Sequence, residues 1–288
     1  MHALDYLNNA QKGGYALAHF NFAQLEALRA IAQAAQNAKS PIFVATSEGE
    51  QKHIGVHQAI SAVRAFREEF NIPLFLNFDH AHDIEKIKKA IDLGYDAILA
   101  DFSKLPFEEN LKTTRSIVEY AKSKNPDIIV EGEIGLLRGD SRIQNEKIEV
   151  KPEDLADPEQ AAHFVKETGV DMLAPAVGNV HGIILGEEKL DIERIKAIKA
   201  KVGNVHLVLH GASGITHDEI KLAVQAGISL IHINTEIRVA FAKSIQAAVK
   251  NSPEETTPYK LLAPGISAMQ AVIEEKLKVF GSVNLLKN

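Results

Sequence analysis

The sequence predicts an α/β fold, a single (β/α)8 barrel that spans residues 1–288. Eight short apolar runs with few charges recur along the chain. Longer segments with helical periodicity lie between these runs, and polar residues cluster where the runs end. The length also fits, because such barrels usually have roughly 250 residues plus insertions.

The predicted strands are residues 16–21, 41–46, 73–79, 97–101, 128–133, 172–177, 206–210 and 230–234. Continuous apolar strands are typical of a parallel sheet whose faces are covered by helices. Between them, residues 25–36 and 236–249 place their apolar side chains on one helical face. An open doubly wound sheet is the alternative. No G-x-G-x-x-G follows the first run, however, and the glycine-rich residues 211–214 come late with a different spacing.

The composition excludes several classes of protein. With no cysteine, the chain has no disulfide, thiolate metal site or cysteine nucleophile. The formal net charge of −6 gives no support for a nucleic-acid partner. We see no signal peptide, membrane span or interdomain linker, and therefore expect one cytoplasmic domain without a membrane partner. The 12 histidines stand out, because only imidazole and carboxylate remain to bind a transition metal.

Six of these histidines lie at or just after the C-terminal ends of the predicted strands, where barrel active sites occur. His80, His181 and His210 follow three different strands, so we expect their rings to converge at one mouth. Three imidazoles with an open fourth position are typical of a catalytic zinc site. We expect the other six histidines, including His206 at the opposite end of the barrel, to have structural roles.

Acidic residues accompany these histidines. Asp79 directly precedes His80, and both can serve one site only where the strand ends, because neighbours on a strand point to opposite faces. We expect Asp79 to donate or accept a proton, the alternative being a helix cap or a group that orients an imidazole. Asp101, Glu131 and Glu133 are candidate oxygen ligands for a second cation, or else solvated carboxylates of the rim.

Residues suited to bind phosphate follow the last two predicted strands. Residues 211–214 form a glycine-rich turn, and Asn234 and Thr235 follow the eighth strand, where barrels often bind phosphate through backbone N–H groups. No lysine lies in or directly after the predicted strands, Lys104 being the nearest, so a Schiff-base mechanism is disfavoured. Metal-assisted carbonyl chemistry is the better interpretation.

Several motifs together resemble the class II, metal-dependent ketose-bisphosphate aldolases, a family that contains fructose- and tagatose-bisphosphate aldolases. The similarity covers nearly the whole chain. It is carried by residues 20–21, 47–49, 79–80, 101–110, 130–135, 178–182, 209–214, 234–236 and 280–282.

The resemblance implies that His80, His181 and His210 hold the catalytic Zn²⁺, or another divalent transition metal, and that Asp79 handles the proton on the C4 hydroxyl of the substrate. Asp101 and Glu133 correspond to carboxylates near an alternative metal position. The residues that the resemblance implies to bind the substrate and its phosphate are Asn21, Ser47, Gly182, Gly211, Ser213, Asn234 and Thr235. A monovalent cation, Na⁺ or K⁺, is expected near the phosphate. The resemblance also implies a homodimer or homotetramer in which an arginine of a partner subunit takes the second phosphate.

The chain departs from the family pattern at three places. His232 stands where many members have asparagine, so Asn234 would supply the amide from a shifted position. In the loop after the fifth strand, Ser141 replaces the glutamate that moves the C3 proton, so Asp140 or Glu146 would have to stand in. Gln24 also replaces a common asparagine.

The leading hypothesis is a zinc-dependent lyase that reversibly cleaves fructose 1,6-bisphosphate into dihydroxyacetone phosphate and glyceraldehyde 3-phosphate. The alternative within the same chemistry is tagatose 1,6-bisphosphate or another ketose phosphate. A metal-dependent hydrolase barrel is a different-class alternative, suggested by the H-x-H pair His80 and His82. A non-catalytic sugar-phosphate-binding protein is a further one, suggested by Ser141 and Arg142 in the loop.

Overall fold

Eight parallel strands close into a barrel in the computed structural model, which confirms the predicted fold class. The structure describes residues 2–146, 148–184 and 189–286. The barrel strands are β1 (Leu17–Asn21), β2 (Ile42–Thr46), β3 (Leu74–Ala81), β4 (Ala97–Ala100), β5 (Ile129–Ile134), β7 (Met172–Pro175), β9 (His206–Leu209) and β10 (Ile228–Ile233). Two more strands, β6 (Gly139–Ile143) and β8 (His181–Ile183), pair with each other outside the barrel. The barrel closes because β1 pairs with both β2 and β10.

Helices occupy the segments between the strands, as the periodicity predicts. Those that follow barrel strands are α2 (Leu25–Ala38), α4 (Val56–Phe70), α5 (Ile84–Leu93), α6 (Phe107–Lys124), α7 (Pro158–Thr168), α8 (Ile192–Val202), α9 (His217–Ala226) and α10 (Thr235–Asn251). Additional helices are α1 (Ala3–Gly13), the short α3 (Glu48–Ile54) and the terminal α11 (Pro258–Val279), with a 3-10 turn at Pro152–Asp154. Asp83, Asp157, Asp191 and Thr216 cap the first turns of α5, α7, α8 and α9 through their side-chain oxygens.

The N-terminal helix α1 closes one end of the barrel interior. Its buried residues Ala3, Leu7 and Ala10 join one apolar cluster with the first inward-facing residues of the strands. Those residues are Leu17, Phe43, Phe75, Ala97, Ile129, Met172, Val208 and Leu230. This apolar layer excludes water from the N-terminal end of the barrel, so the open mouth lies at the C-terminal ends of the strands.

The next inward-facing layer is largely polar, although it is deeply buried. Side chains on a strand alternate between its faces, so each residue of this layer comes two positions after one of the apolar layer. Its polar members are His19, Asn77, Glu131, His210 and His232. Burying polar groups is costly unless they are hydrogen-bonded or hold a ligand, so this layer marks where the fold supports chemistry.

An irregularity in β3 re-aims the side chain of His80. The backbone of His80 has φ 46°, a left-handed conformation, and the register of β3 against β4 shifts between Phe78 and Ala81. A bulge of this kind changes the direction of side chains and often lies next to active sites. The sequence predicted that this strand ends at Asp79, but the strand continues to Ala81. It is this bulge that allows both Asp79 and His80 to serve the mouth.

Candidate active site

Three histidine rings meet at the mouth of the barrel. The ring centroid of His80 lies 4.8 Å from that of His181 and 4.8 Å from that of His210. His181 and His210 are 6.3 Å apart on the same measure. The structure therefore brings together the three imidazoles that the sequence singled out, each from a different strand.

His80 is oriented by carboxylates. Its Nδ1 lies 2.8 Å from Oδ2 of Asp101 and 3.7 Å from Oε2 of Glu133, which leaves Nε2 as the nitrogen available to a metal. Ser103 links the two acids, because its hydroxyl lies 2.7 Å from Oδ1 of Asp101 and 3.1 Å from Oε1 of Glu133 and can donate to either. Burial alone lowers the pKa of His80, but the charges of Asp79, Asp101 and Glu133 raise it to about 10. The site thus attracts a cation.

His210 is oriented by a carboxylate that is fully buried. Its Nε2 lies 2.8 Å from Oε1 of Glu131, so Nδ1 is the nitrogen free to face a metal. The amide of Asn179 donates to the backbone carbonyl of His210 and fixes its position. Burial raises the pKa of Glu131 well above its usual value, so Glu131 needs a cationic partner or a metal-bound imidazole to stay ionised.

His181 is held by the small sheet outside the barrel. Its backbone N–H donates to the carbonyl of Arg138 over 2.7 Å, just before β6. Burial lowers the pKa of His181 and that of His210 to about 3, so both rings are neutral. A metal requires neutral imidazole, so neither ring has to lose a proton before binding one.

These residues fit a divalent metal. Ligand atoms of Asp79, His80 and His210 lie within 4.8 Å of one another, and so do those of His80, Asp101 and Glu133. Among the described residues, Oε2 of Glu131 and Oε2 of Glu133 are buried without a hydrogen-bond partner. Imidazole and carboxylate are the donors that zinc and similar ions take, and unpaired buried oxygens are costly without a cation.

Asp79 lies beside the histidines and is almost completely buried. Its Oδ2 accepts a hydrogen bond from Nδ2 of Asn21 over 2.8 Å, and its Oδ1 lies 3.5 Å from Nδ1 of His232. Burial by itself raises the pKa of Asp79, but His80 and His232 lower it well below its usual range. Asp79 is therefore an ionised carboxylate, ready to accept a proton from a hydroxyl group.

Below Asp79, two histidine rings stack face to face. His19 and His232 are register partners on β1 and β10, and their rings are 3.4 Å apart and nearly parallel. Nε2 of His19 lies 3.0 Å from Nδ2 of Asn77 on β3, two strands further round the barrel. Burial lowers the pKa of His232 to about 3, so the stacked ring is neutral. His232 also lies 3.9 Å from the ring of His210, which supports the metal site from below.

The residues predicted to bind phosphate line a smaller cavity next to the histidines. The lining of this cavity includes Gly182, Gly211, Ser213, Asn234 and Thr235. Gly211 has φ 63°, and a Cβ there would lie 2.2 Å from the carbonyl oxygen of Val180. A side chain would therefore displace the turn. The cavity also faces the N-terminus of α10, whose free N–H groups and dipole favour an anion.

Glu236 ties the glycine-rich turn to two helices. Its Oε1 accepts from the backbone N–H of Gly214 over 2.7 Å, and its Oε2 pairs with the buried Nζ of Lys276 at 2.8 Å. The backbone N–H of Glu236 in turn points at the hydroxyl of Ser213. Glu236 belongs to the motif at residues 234–236, but the sequence predicted no role for it. Lys276 was not predicted, because it lies far away along the chain on α11.

A larger cavity of about 500 Å³ opens beside the first one and shares Asn21, Asp79, His80, Ser141 and Asn234 with it. Its remaining polar lining includes Ser47, Glu50 and Arg238, and its apolar lining includes Phe22, Phe241 and Met269. The two cavities together extend from the residues predicted to bind phosphate past the histidines toward α11.

The loop carboxylates Asp140 and Glu146 are both exposed and do not line either cavity. Oδ2 of Asp140 lies 3.3 Å from a guanidinium nitrogen of Arg142. Ser141 lines both cavities, and its carbonyl accepts a hydrogen bond from Arg238. The predicted roles of Asp140 and Glu146 stay predictions.

Sequence reasoning missed several residues of the site. Glu50 could have been found from the sequence, because Ser47 and Glu50 have the spacing of a capping box. This capping box starts α3 directly after β2, which places Glu50 at the rim of the barrel. His19 and Asn77 had one too, since each lies two residues before a rim residue and alternation points it inward. Arg238 carried no signal beyond its closeness to Thr235.

Among the described residues, no helix is both long and apolar enough to cross a membrane.

Comparison with known proteins agrees with this geometry. The family model described as "Fructose-bisphosphate aldolase class-II" matches residues 1–285. A fructose-bisphosphate aldolase of Geobacillus stearothermophilus is 37% identical over 281 residues, which is 96% of each chain. The crystal structure of the YdjI aldolase from Escherichia coli K12 has a TM-score of 0.83 and 30% identity, covering 100% of this chain and 99% of that one. The crystal structure of a putative fructose-1,6-bisphosphate aldolase from Coccidioides immitis has a TM-score of 0.85 and 30% identity, covering 98% and 97%.

Proposed function

The chain belongs to the class II fructose-bisphosphate aldolase family of metal-dependent lyases, and we propose that it reversibly cleaves fructose 1,6-bisphosphate into dihydroxyacetone phosphate and glyceraldehyde 3-phosphate. The observation that carries this proposal is the meeting of three imidazoles and Asp79 beside a glycine-rich turn at one barrel mouth. The relatives' names support fructose 1,6-bisphosphate as the substrate.

We assign Zn²⁺ to Nε2 of His80, Nδ1 of His210 and the ring of His181. Asp101 and Glu133 would orient His80 and offer oxygens to an alternative metal position. When bound, a divalent ion polarises a carbonyl and stabilises the negative charge of an enediolate. The carboxylates that hold the two ring nitrogens at His80 and His210 fix which nitrogen is free, which preorganises the site before an ion binds.

Asp79 would take the proton from the C4 hydroxyl when the bond between C3 and C4 breaks. It is ionised, and Asn21 fixes one of its oxygens, so the other faces His232 and the cavities. His232 stands below this oxygen at 3.5 Å and limits the positions that the carboxylate can adopt.

The phosphate of the dihydroxyacetone phosphate half would bind to Gly182, Gly211, Ser213, Asn234 and Thr235. Backbone N–H groups and the N-terminus of α10 supply the positive end of a dipole, and a monovalent cation, Na⁺ or K⁺, would add charge nearby. Asn21 and Ser47 would contact the other half in the larger cavity.

The second phosphate of the substrate needs a cation in the larger cavity. Arg238 is exposed and lines this cavity. Among the described residues, its side-chain hydrogen bond is the one from a guanidinium N–H to Ser141, which leaves its other donors available. We assign the second phosphate to Arg238, in addition to the arginine that a partner subunit would bring in a homodimer or homotetramer. A role in cytoplasmic glycolysis follows from this substrate.

The test is cleavage of fructose 1,6-bisphosphate, followed through dihydroxyacetone phosphate formation, with and without removal of the metal. Activity should disappear on treatment with a chelator and return with Zn²⁺. Full activity in metal-stripped protein would contradict the metal mechanism. Comparing kcat/KM for fructose and tagatose 1,6-bisphosphates decides between the two C4 epimers, and a higher value for tagatose would replace the proposed substrate.

A further inference from the structure

The reaction needs a second proton transfer, at a different atom from the one that Asp79 serves. This inference rests on the proposed function. When the bond between C3 and C4 breaks, Asp79 receives a proton from an oxygen, and the enediolate carbon must then gain a proton to become dihydroxyacetone phosphate. The second transfer requires an acid that faces the substrate from another position. Among the described residues, Glu50 and Asp79 are the carboxylates that line the larger cavity.

The acids of the loop after β5 lie elsewhere in this structure. The side chain of Asp140 is 73% exposed and is paired with Arg142. Glu146 is also exposed. Ser141 lines both cavities, but its aliphatic hydroxyl is too weak an acid to serve as a general acid at neutral pH. The structure therefore offers no loop carboxylate at the mouth among the described residues.

Glu50 is held firmly at the rim by the first turn of α3. Its Oε2 accepts from the backbone N–H of Ser47 over 2.7 Å and from Nδ2 of Asn21 over 3.0 Å. Asn21 Nδ2 also donates to Oδ2 of Asp79, so a single amide bridges the two carboxylates. Within the part of the chain that the structure describes, Oε1 of Glu50 has a single long contact of 3.5 Å, to Nδ2 of Asn234, so this oxygen can meet a substrate.

Burial favours the acid form of Glu50. It raises the pKa of Glu50, the hydrogen bonds from Ser47 and Asn21 oppose this in part, and the charge of Asp79 adds to it. A carboxyl group whose pKa is raised is suited to act as a general acid near neutral pH.

We propose that Glu50 is a catalytic residue that transfers the proton at the carbon of dihydroxyacetone phosphate. In cleavage, the carboxylate of Asp79 takes the C4 hydroxyl proton, the C3–C4 bond breaks, and its electron pair stays on the enediolate. The acid form of Glu50 then gives its proton to C3, which restores the ketone. In condensation, Glu50 removes this proton and Asp79 returns its proton to the new hydroxyl. Exchange with solvent resets both carboxylates between turnovers.

Hydrogen exchange of dihydroxyacetone phosphate in D₂O isolates the carbon step, because it needs no aldehyde and no C–C bond cleavage. The wild-type protein should exchange the hydrogen at the carbinol carbon, as followed by proton NMR. Glu50→Gln should slow this exchange by roughly 10²–10⁴-fold, the range for loss of a general acid or base. Glutamine keeps the capping box, so metal content and thermal midpoint should stay as in the wild type.

Two further variants separate a catalytic role from a structural one. Glu50→Asp keeps a carboxylate but retracts it by one methylene, so its exchange rate should fall between those of wild type and Glu50→Gln. If Glu50→Gln does not fold, Glu50→Asp tests the role of the carboxylate in its place. Glu48→Gln is the matched control, because Glu48 lies on the same helix but pairs with Lys86 at 2.6 Å. It should exchange at the wild-type rate.

The outcomes distinguish the two proposals. Unchanged exchange in Glu50→Gln, with a wild-type protein that cleaves fructose 1,6-bisphosphate, would overturn the role of Glu50 and leave the proposed function standing. Loss of exchange in Asp140→Asn or Glu146→Gln, with Glu50→Gln unaffected, would also overturn it and return the role to the loop. A wild-type protein that neither cleaves the substrate nor exchanges dihydroxyacetone phosphate would overturn the proposed function, and this inference with it.

Discussion

Replacing Glu131 by glutamine should weaken metal binding while leaving in place the three histidines assigned to the zinc ion. Glu131 is fully buried, and its Oε1 lies 2.8 Å from Nε2 of His210, whose side chain is 2% exposed. The contact keeps Nδ1 of His210 directed at the metal and raises the basicity of the ring. Glu131→Gln keeps the size and one acceptor oxygen but removes the charge, and it allows the amide to turn its NH₂ toward the imidazole.

The expected loss follows from this geometry. Removing the carboxylate behind a ligating histidine typically weakens metal affinity by about 10–100-fold, which corresponds to about 1.4–2.7 kcal/mol. Here water cannot replace the lost hydrogen bond, since both side chains are buried, and charge-assisted hydrogen bonds are about twice as strong as neutral ones. We therefore expect a value toward the upper end of the range.

Competition between the protein and a colorimetric zinc chelator measures this affinity directly. Glu119→Gln, an exposed substitution on α6, is the matched control and should bind zinc as the wild type does. Thermal unfolding of the metal-free proteins shows whether the fold itself has changed. Equal zinc affinity for Glu131→Gln and wild type would refute the reasoning that Glu131 holds His210 for the metal.

Three other predictions follow from the structure. Asp79→Ala, measured at full zinc loading, should lower kcat for cleavage by roughly 10²–10⁴-fold, and a rate near that of wild type would remove Asp79 from proton transfer. Arg238→Ala should raise KM for fructose 1,6-bisphosphate more than it lowers kcat, and an unchanged KM would contradict its contact with the second phosphate. His206 has its pKa lowered by burial from 6.5 to about 4, so the neutral form stabilises the fold above pH 6.5 and this contribution disappears as the pH falls toward 4. The difference corresponds to about 3 kcal/mol, so urea unfolding of His206→Asn should depend less on pH over this interval than that of wild type, and equal pH dependence would count against it.

Much of the fold was predictable because its determinants are local in the sequence. Each buried parallel strand needs a short apolar run, and the eight predicted runs coincide with the eight barrel strands to within a few residues. The helices follow from apolar periodicity, and observed α2 and α10 contain the predicted residues 25–36 and 236–249. The β6–β8 pair and the role of α1 as a plug were not predicted, because both depend on contacts between distant segments.

The site was predictable where a general rule links sequence position to space. Because parallel barrel strands all end at one mouth, polar residues after different runs had to lie together, and His80, His181 and His210 do so. The rule says nothing about the direction of a single side chain. For that reason the bulge at His80 escaped prediction, as did the inward placement of Glu50 in the larger cavity.

The sequence by itself determined the barrel, the imidazole donors and the edge at which they gather, since strand order and side-chain alternation are short-range properties of the chain. Only the tertiary structure decided which ring nitrogen of His80 and of His210 is free, which carboxylate is ionised and which acid faces the larger cavity. Those properties depend on burial and on neighbours such as Glu131 and His210, which are 79 positions apart in sequence and 2.8 Å apart in space. Electrostatic interactions act over distances in space, so no pattern along the chain records them.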